Sequence, residues 1–127
     1  MPAENRFAAK QLITLKLYIT RVLESDGSHL THWSFARELL QLGDTTLQQY
    51  YRQHRGELND QQLAELIMGV KVVEQLRETL RWLDDEDLEY MNQYADWFRI
   101  KAKLRLVMPL VERLVEAADI PAEPCGR

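Results

Sequence analysis

The sequence predicts an all-α fold, an up-and-down helical bundle of about five helices, three long and two short. Apolar residues recur at helical spacing along most of the 127 residues, and such spacing is typical of amphipathic helices. The chain holds only 5 glycines and 4 prolines, which is too few for the many turns of an all-β fold. The length fits one domain. We expect this domain over residues 1–120 and a disordered tail over residues 121–127.

The first long helix is predicted over residues 6–24. Apolar side chains fall on one of its faces, and charged ones such as Lys16 and Arg21 fall on the other. The stretch 25–28 ends this helix, because Gly27 readily takes the left-handed conformation of a helix end and its Ser and Asp neighbours prefer turns.

Two short helices are predicted next, one from Thr31 to a stop at Gly43 and one from Thr45 to about Arg55. Asp44 would cap the second of them. This second short helix is unusually polar, and it carries no carboxylate between its two ends.

A second long helix is predicted from Asn59 to Leu83. The side chain of Asn59, with Gln62 three residues later, forms a variant of the capping box. Gly69 lies in the apolar stripe of this helix, so we expect a close neighbour there. Apolar residues of the stripe repeat every seven positions, as in helices that pack side by side; they include Leu66, Val73 and Leu80.

The last long helix is predicted from Asp87 to Ala118, and it is apolar on two sides. The stripe expected to be its buried seam comprises Leu88, Met91, Ala95, Phe98, Ala102 and Leu106. The other flank comprises Tyr90, Trp97, Ile100, Leu104, Val107 and Val111. Pro109 predicts a kink or a break near Val107. Because a surface helix of a monomer needs one apolar face, two faces place this helix between neighbours or against another chain.

The second flank of this helix leads us to predict a non-enzymatic protein-interaction module, either a homodimer or a subunit or adaptor of a larger assembly. The predicted interface residues are Tyr90, Trp97, Ile100 and Leu104, since Tyr and Trp dominate the energetic centres of interfaces. The sequence leaves open whether the protein's own short helices or another chain would cover Trp97.

The alternative function is that of a nucleic-acid-binding regulator or a nucleoprotein-complex subunit. Arginine pairs with guanine edges and glutamine with adenine, so the polar helix after the turn at Gly43 has the residue types of a recognition helix. The predicted contacts are Gln48, Gln49, Arg52 and Arg55, helped by Arg99 and Lys103. Two features count against this function: a bulky Leu39 four residues before the turn glycine, and a net charge of −4.

No local pattern in the sequence indicates catalysis, a metal or a cofactor. The run that holds His29 and His32 lacks a carboxylate or a thiol to complete a metal site, and His54 is flanked by arginine. The acidic residues 84–87 are typical of a helix start. There is no nucleophile elbow and no Gly-rich phosphate loop. We therefore predict no enzyme activity, no cofactor and no small-molecule substrate.

Composition predicts a cytoplasmic protein without a membrane partner. The single cysteine, Cys125, provides no disulfide framework, which favours a reducing compartment. The first residues contain no apolar run resembling a secretion signal, and the sequence nowhere has 18 uninterrupted apolar residues.

Overall fold

The structure is a computed structural model that describes residues 3–81, 87 and 95–119, with the side chains of 9–80, 87 and 95–117. Its long helices are α1 (Ala3–Leu23), α2 (Leu30–His54), α3 (Asp60–Arg81) and α4 (Ala95–Asp119). A short 3₁₀ turn, Arg55–Glu57, follows α2. The helices run alternately up and down, and each packs against the two beside it, with α4 closing the ring on α1. The predicted all-α bundle is confirmed.

The two short helices predicted between Thr31 and Arg55 are instead one continuous helix, α2. The described residues therefore form four long helices, not three long and two short ones. Gly43 is buried in the middle of α2, where a Cβ atom would stand 3.3 Å from Leu15 Cδ1 and 3.4 Å from Val73 Cγ1. This glycine lets three helices pack closely and does not end a helix, so tertiary packing overrides the local stop signal.

The predictions for α3 are confirmed where the structure describes it. The Asn59 amide donates to Gln62 Oε1 at 3.0 Å, and the Gln62 amide donates to Asn59 Oδ1 at 2.8 Å, which closes the capping box. A Cβ on Gly69 would overlap the side chain of Leu110, so α4 approaches α3 closely at this point. The residues of the seven-residue repeat are all buried: Leu66, Val73 and Leu80.

Helix α4 continues through Pro109, so of the kink or break predicted near Val107, the break does not occur. A proline removes one backbone hydrogen bond from a helix. Core contacts on both sides of Pro109, from Leu104 and Val107 before it and Val111 after it, offset that loss.

Several predicted features lie outside the described residues. These are Tyr90, the first turns of the last helix around Leu88 and Met91, the acidic stretch apart from a helical, exposed Asp87, and the tail 121–127. Among the helices that are described, none combines the length and the apolar character needed to cross a membrane.

The connection between α1 and α2 is held by two tryptophans. Gly27 has a positive φ of 73°, as its place after the first helix predicted. Trp33 Nε1 donates to Gly27 O at 2.9 Å, and Trp97 Nε1 donates to Ser25 O at the same distance. Lys101 Nζ donates to Ser25 O as well, at 3.0 Å. The two indole rings meet edge to face with their centroids 4.8 Å apart, so this loop is tied to both α2 and α4.

We predict that Gly27→Ala lowers the free energy of unfolding by about 2–4 kcal/mol, through left-handed backbone strain and overpacking. A Cβ at this position would lie 2.5 Å from Trp97 Cγ and 2.8 Å from Trp97 Cδ2. Urea unfolding followed by circular dichroism measures the loss. The matched control is Gly56→Ala, because a Cβ there meets nothing within 4 Å. Equal losses in the two variants would contradict the packing of the loop on Trp97.

Candidate functional site

The side of α4 that was predicted to be an interface forms the core of the bundle. Trp97 is only 2% exposed, and Ile100 and Leu104 are equally buried by the protein's own helices. These three residues are therefore not available to a partner, and that part of the predicted docking surface is wrong for this fold. Tyr90, the fourth predicted interface residue, lies outside the described residues.

The physical reason for this reversal is the volume of the two stripes of α4. The buried stripe contributes an indole and several Leu, Ile and Val side chains, whereas the other stripe includes the small residues Ala95 and Ala102. Burial of the larger stripe removes more apolar surface from water. Trp97 also finds a hydrogen-bond acceptor in the α1–α2 loop, which a buried indole needs.

The stripe of α4 that was expected to be buried faces solvent. Phe98 is 57% exposed and Leu106 is 61% exposed, and Ala102 and Pro109 are exposed as well. At 100° per residue these four side chains fall within an arc of about 80° on the helix. They form one continuous apolar band along the outside of α4.

The neighbouring helix α3 extends this band. Met68 is 52% exposed, and it lines a depression of about 90 Å³ together with Val72, Leu106 and Pro109. We call the five residues Phe98, Ala102, Leu106, Pro109 and Met68 the outer patch. A contiguous exposed apolar patch with a polar rim is a candidate interaction site.

Other large apolar side chains are exposed on α1, where the surroundings differ. Leu17 is 62% exposed and Ile13 lies one turn before it. Their outer face also carries the exposed charges of Lys10 and Arg21. Leu17 therefore matches Leu106 in exposure but lies outside the outer patch, which makes it a useful control position.

The residues predicted to contact nucleic acid lie in two separate places. Arg52 and Arg55 are exposed at the end of α2, beside the start of α3. Arg99 and Lys103 instead border Gln75 on the far half of α3, around a groove of about 210 Å³. About 15 residues of α3, or roughly 20 Å, separate the two groups, so the fold does not bring them together on one surface.

The polar segment of α2 has a structural role that the sequence did not reveal. Arg77 Nη1 of α3 donates to Asp44 Oδ2 at 2.9 Å, and Gln48 Nε2 donates to Asp44 Oδ1 at 2.8 Å. Asp44 is buried and does not cap a helix. Because α2 is continuous through Gly43, the turn of a helix-turn-helix is absent from this segment, and that part of the nucleic-acid prediction is wrong.

The remaining predicted contact residues of α2 stay near its surface. Gln49 is half-buried and Arg52 is exposed. The guanidinium of Arg55 lies 5.8 Å from the centre of the Tyr51 ring, a cation–π geometry. The next carboxylate, Glu57, lies 3.2 Å from His54 Nδ1.

The histidines near the first loop form a small polar cluster. The rings of His29 and His32 meet edge to face at 5.3 Å, and His32 Nδ1 is 3.5 Å from Asp26 Oδ1. Two hydrogen bonds from Ser28 hold the pKa of Asp26 below its ordinary value; the bond from the hydroxyl has the larger effect and the bond from the amide the smaller. Over the described part of the chain, no three His, Cys, Asp or Glu side chains come together in a group that could hold a metal ion.

A depression of about 460 Å³ lies at the other end of the bundle. It opens between the end of α2, the start of α3 and the end of α4. Tyr50 and Asn59 line it, together with the ion pair between Arg113 and Glu65. Burial, with a smaller effect from the charge of Glu57, raises the pKa of the Tyr50 hydroxyl.

Comparison of the chain with protein-family models, with curated proteins and with solved structures finds no match. The outer patch and the charges around it are the features of the structure that bear on function.

We predict that Asp44→Ala lowers the free energy of unfolding by about 2–4 kcal/mol, because it leaves Arg77 partly buried without its carboxylate. Urea unfolding measures the loss. The double variant Asp44→Ala/Arg77→Met should lose at least about 1 kcal/mol less than the sum of the two single losses. The control is Glu65→Ala at the more exposed Arg113 pair, with an expected loss of at most about 1 kcal/mol. If the loss in the double variant equalled the sum of the two single losses, a direct interaction between Asp44 and Arg77 would be contradicted.

Proposed function

We propose that this protein is a non-enzymatic protein-interaction module that docks a partner through the outer patch. The observation that supports this function is the exposure of Phe98, Leu106 and Met68, each more than half open to solvent and all on one side of the bundle. Apolar area left in water carries an unfavourable free energy of roughly 25 cal/mol per Å². A partner that covers the patch would recover that free energy.

The surroundings of the outer patch support the same function. Arg99, Arg105 and Glu112 are exposed beside the apolar band. An apolar centre with a charged rim is the usual composition of a protein–protein interface. The depression beside Met68 adds a recess into which a partner side chain would fit.

A cytoplasmic location for this module also stays a proposal. It rests on the presence of a single cysteine in the sequence, since small secreted domains depend more often on disulfides.

The test places a photoreactive benzoylphenylalanine at position 98 or, as the control, at position 17, in cells that make the protein. We expect light-dependent adducts from position 98 and none of the same mass from position 17. The partner, once identified and purified, should bind at least about tenfold more weakly to Phe98→Asp. Leu17→Asp should bind it as the wild type does. Identical adducts from both positions would reject the outer patch as the docking site.

Nucleic-acid binding is the second candidate function, and the exposure of Arg52 and Arg55 favours it. Within the described residues, neither guanidinium takes part in an ion pair. For a protein-interaction module we expect no binding of duplex or single-stranded oligonucleotides in fluorescence anisotropy at low salt. Binding that weakens steeply with salt, with a salt slope reduced by about two in the Arg52→Ala/Arg55→Ala variant, would replace our proposal with a nucleic-acid function.

A further inference from the structure

We infer that the partner of the outer patch is a second copy of this chain, docked so that the two α4 helices run antiparallel. The inference rests on the proposed function of the outer patch and adds the identity and orientation of the partner. Three observations lead to it: the distribution of charge along α4, the angular position of two charged residues, and the place of the apolar side chains between them.

Charge is divided unevenly between the two halves of α4. All the basic residues of its first half lie between positions 99 and 105: Arg99, Lys101, Lys103 and Arg105. In the second half, Glu112 and Glu116 are exposed. Arg113, the basic residue of that half, pairs with Glu65 of α3. The first half also holds the half-buried Asp96, so the helix is on balance positive towards its start and negative towards its end.

This distribution is complementary to itself when one copy is reversed. Arg105 and Glu112 are seven residues apart, so they project from the same flank of the helix to within about 20°. A two-fold axis midway between them would place Arg105 of each copy opposite Glu112 of the other. A closed dimer with such an axis forms every contact twice. A parallel arrangement would instead put this flank of the two copies on opposite sides of the interface, so the pairing of Arg105 with Glu112 would be lost.

The same axis passes through the apolar centre of the outer patch. Its position between Met108 and Pro109 brings Leu106, Pro109 and Met68 of both copies together, since these three side chains line one depression. Phe98 then lies roughly 15 Å from the axis, beside the last turn of the other copy's α4. The exposed Ala117 of that turn leaves room for its ring. The interface thus has an apolar centre and paired charges at its rim.

The outer patch is small, so we expect the dimer to be weak, with a dissociation constant on the order of micromolar. Sedimentation velocity of the full chain from about 1 to 200 μM covers this range. The wild type should shift from 15.0 kDa towards twice that mass as its concentration rises. Leu106→Asp should weaken association at least tenfold. Leu17→Asp, at an equally exposed site on α1, should associate like the wild type.

Charge reversal tests the antiparallel orientation. Arg105→Glu and Glu112→Arg should each weaken the dimer at least about fivefold at low salt, and the double variant should return to within about threefold of the wild type. Circular dichroism melts check that every variant is folded. A double variant that stays as weak as the single ones would overturn this orientation.

Sedimentation tests the second-copy partner, and cross-linking tests the outer patch, so the two experiments can fail independently. A wild type that remains monomeric over the whole concentration range overturns the second-copy partner. Cross-linking from position 98 then decides on its own whether another protein binds the outer patch.

Discussion

The burial of Trp97 determines which face of α4 is exposed to solvent. Its ring packs against Trp33, its N–H group binds the carbonyl of Ser25, and the loop closes over it at Gly27, where no side chain intervenes. An α-helix is stiff, so the orientation of one large side chain sets the orientation of every other residue along it. With Trp97 inside, the α4 members of the outer patch, Phe98, Ala102, Leu106 and Pro109, must face solvent.

Local structure was largely predictable from the sequence, because it depends on residues close together in the chain. The capping box of Asn59 and Gln62 and the left-handed Gly27 both formed as predicted. Gly43 shows the limit of such reasoning. It has the composition of a helix stop, yet its neighbours Leu15 and Val73 come from other helices, and their packing keeps α2 continuous.

The stripe of Phe98 and Leu106 was wrongly expected in the core for a related reason. Helical spacing identifies two apolar stripes but does not say which of them faces the core. Side-chain volume does, since the stripe with Trp97 and Ile100 has more surface to bury than the stripe with Ala95 and Ala102. The ion pair of Asp44 could not be predicted from side-chain volume either. Its partner Arg77 is 33 residues distant, and only the fold brings the two together.

The outer patch is best explained by binding because the fold does not need its apolar side chains. Phe98 and Leu106 have more than half of their surface in water, so they contribute little to the free energy of folding by burial. An exposed phenylalanine is also a poorer helix former than glutamate or lysine, by a few tenths of a kcal/mol. Polar residues at both positions would give an isolated bundle at least the same stability. Apolar side chains there become useful when a second surface covers them, and the opposite charges of Arg105 and Glu112 on their flank give that surface a direction.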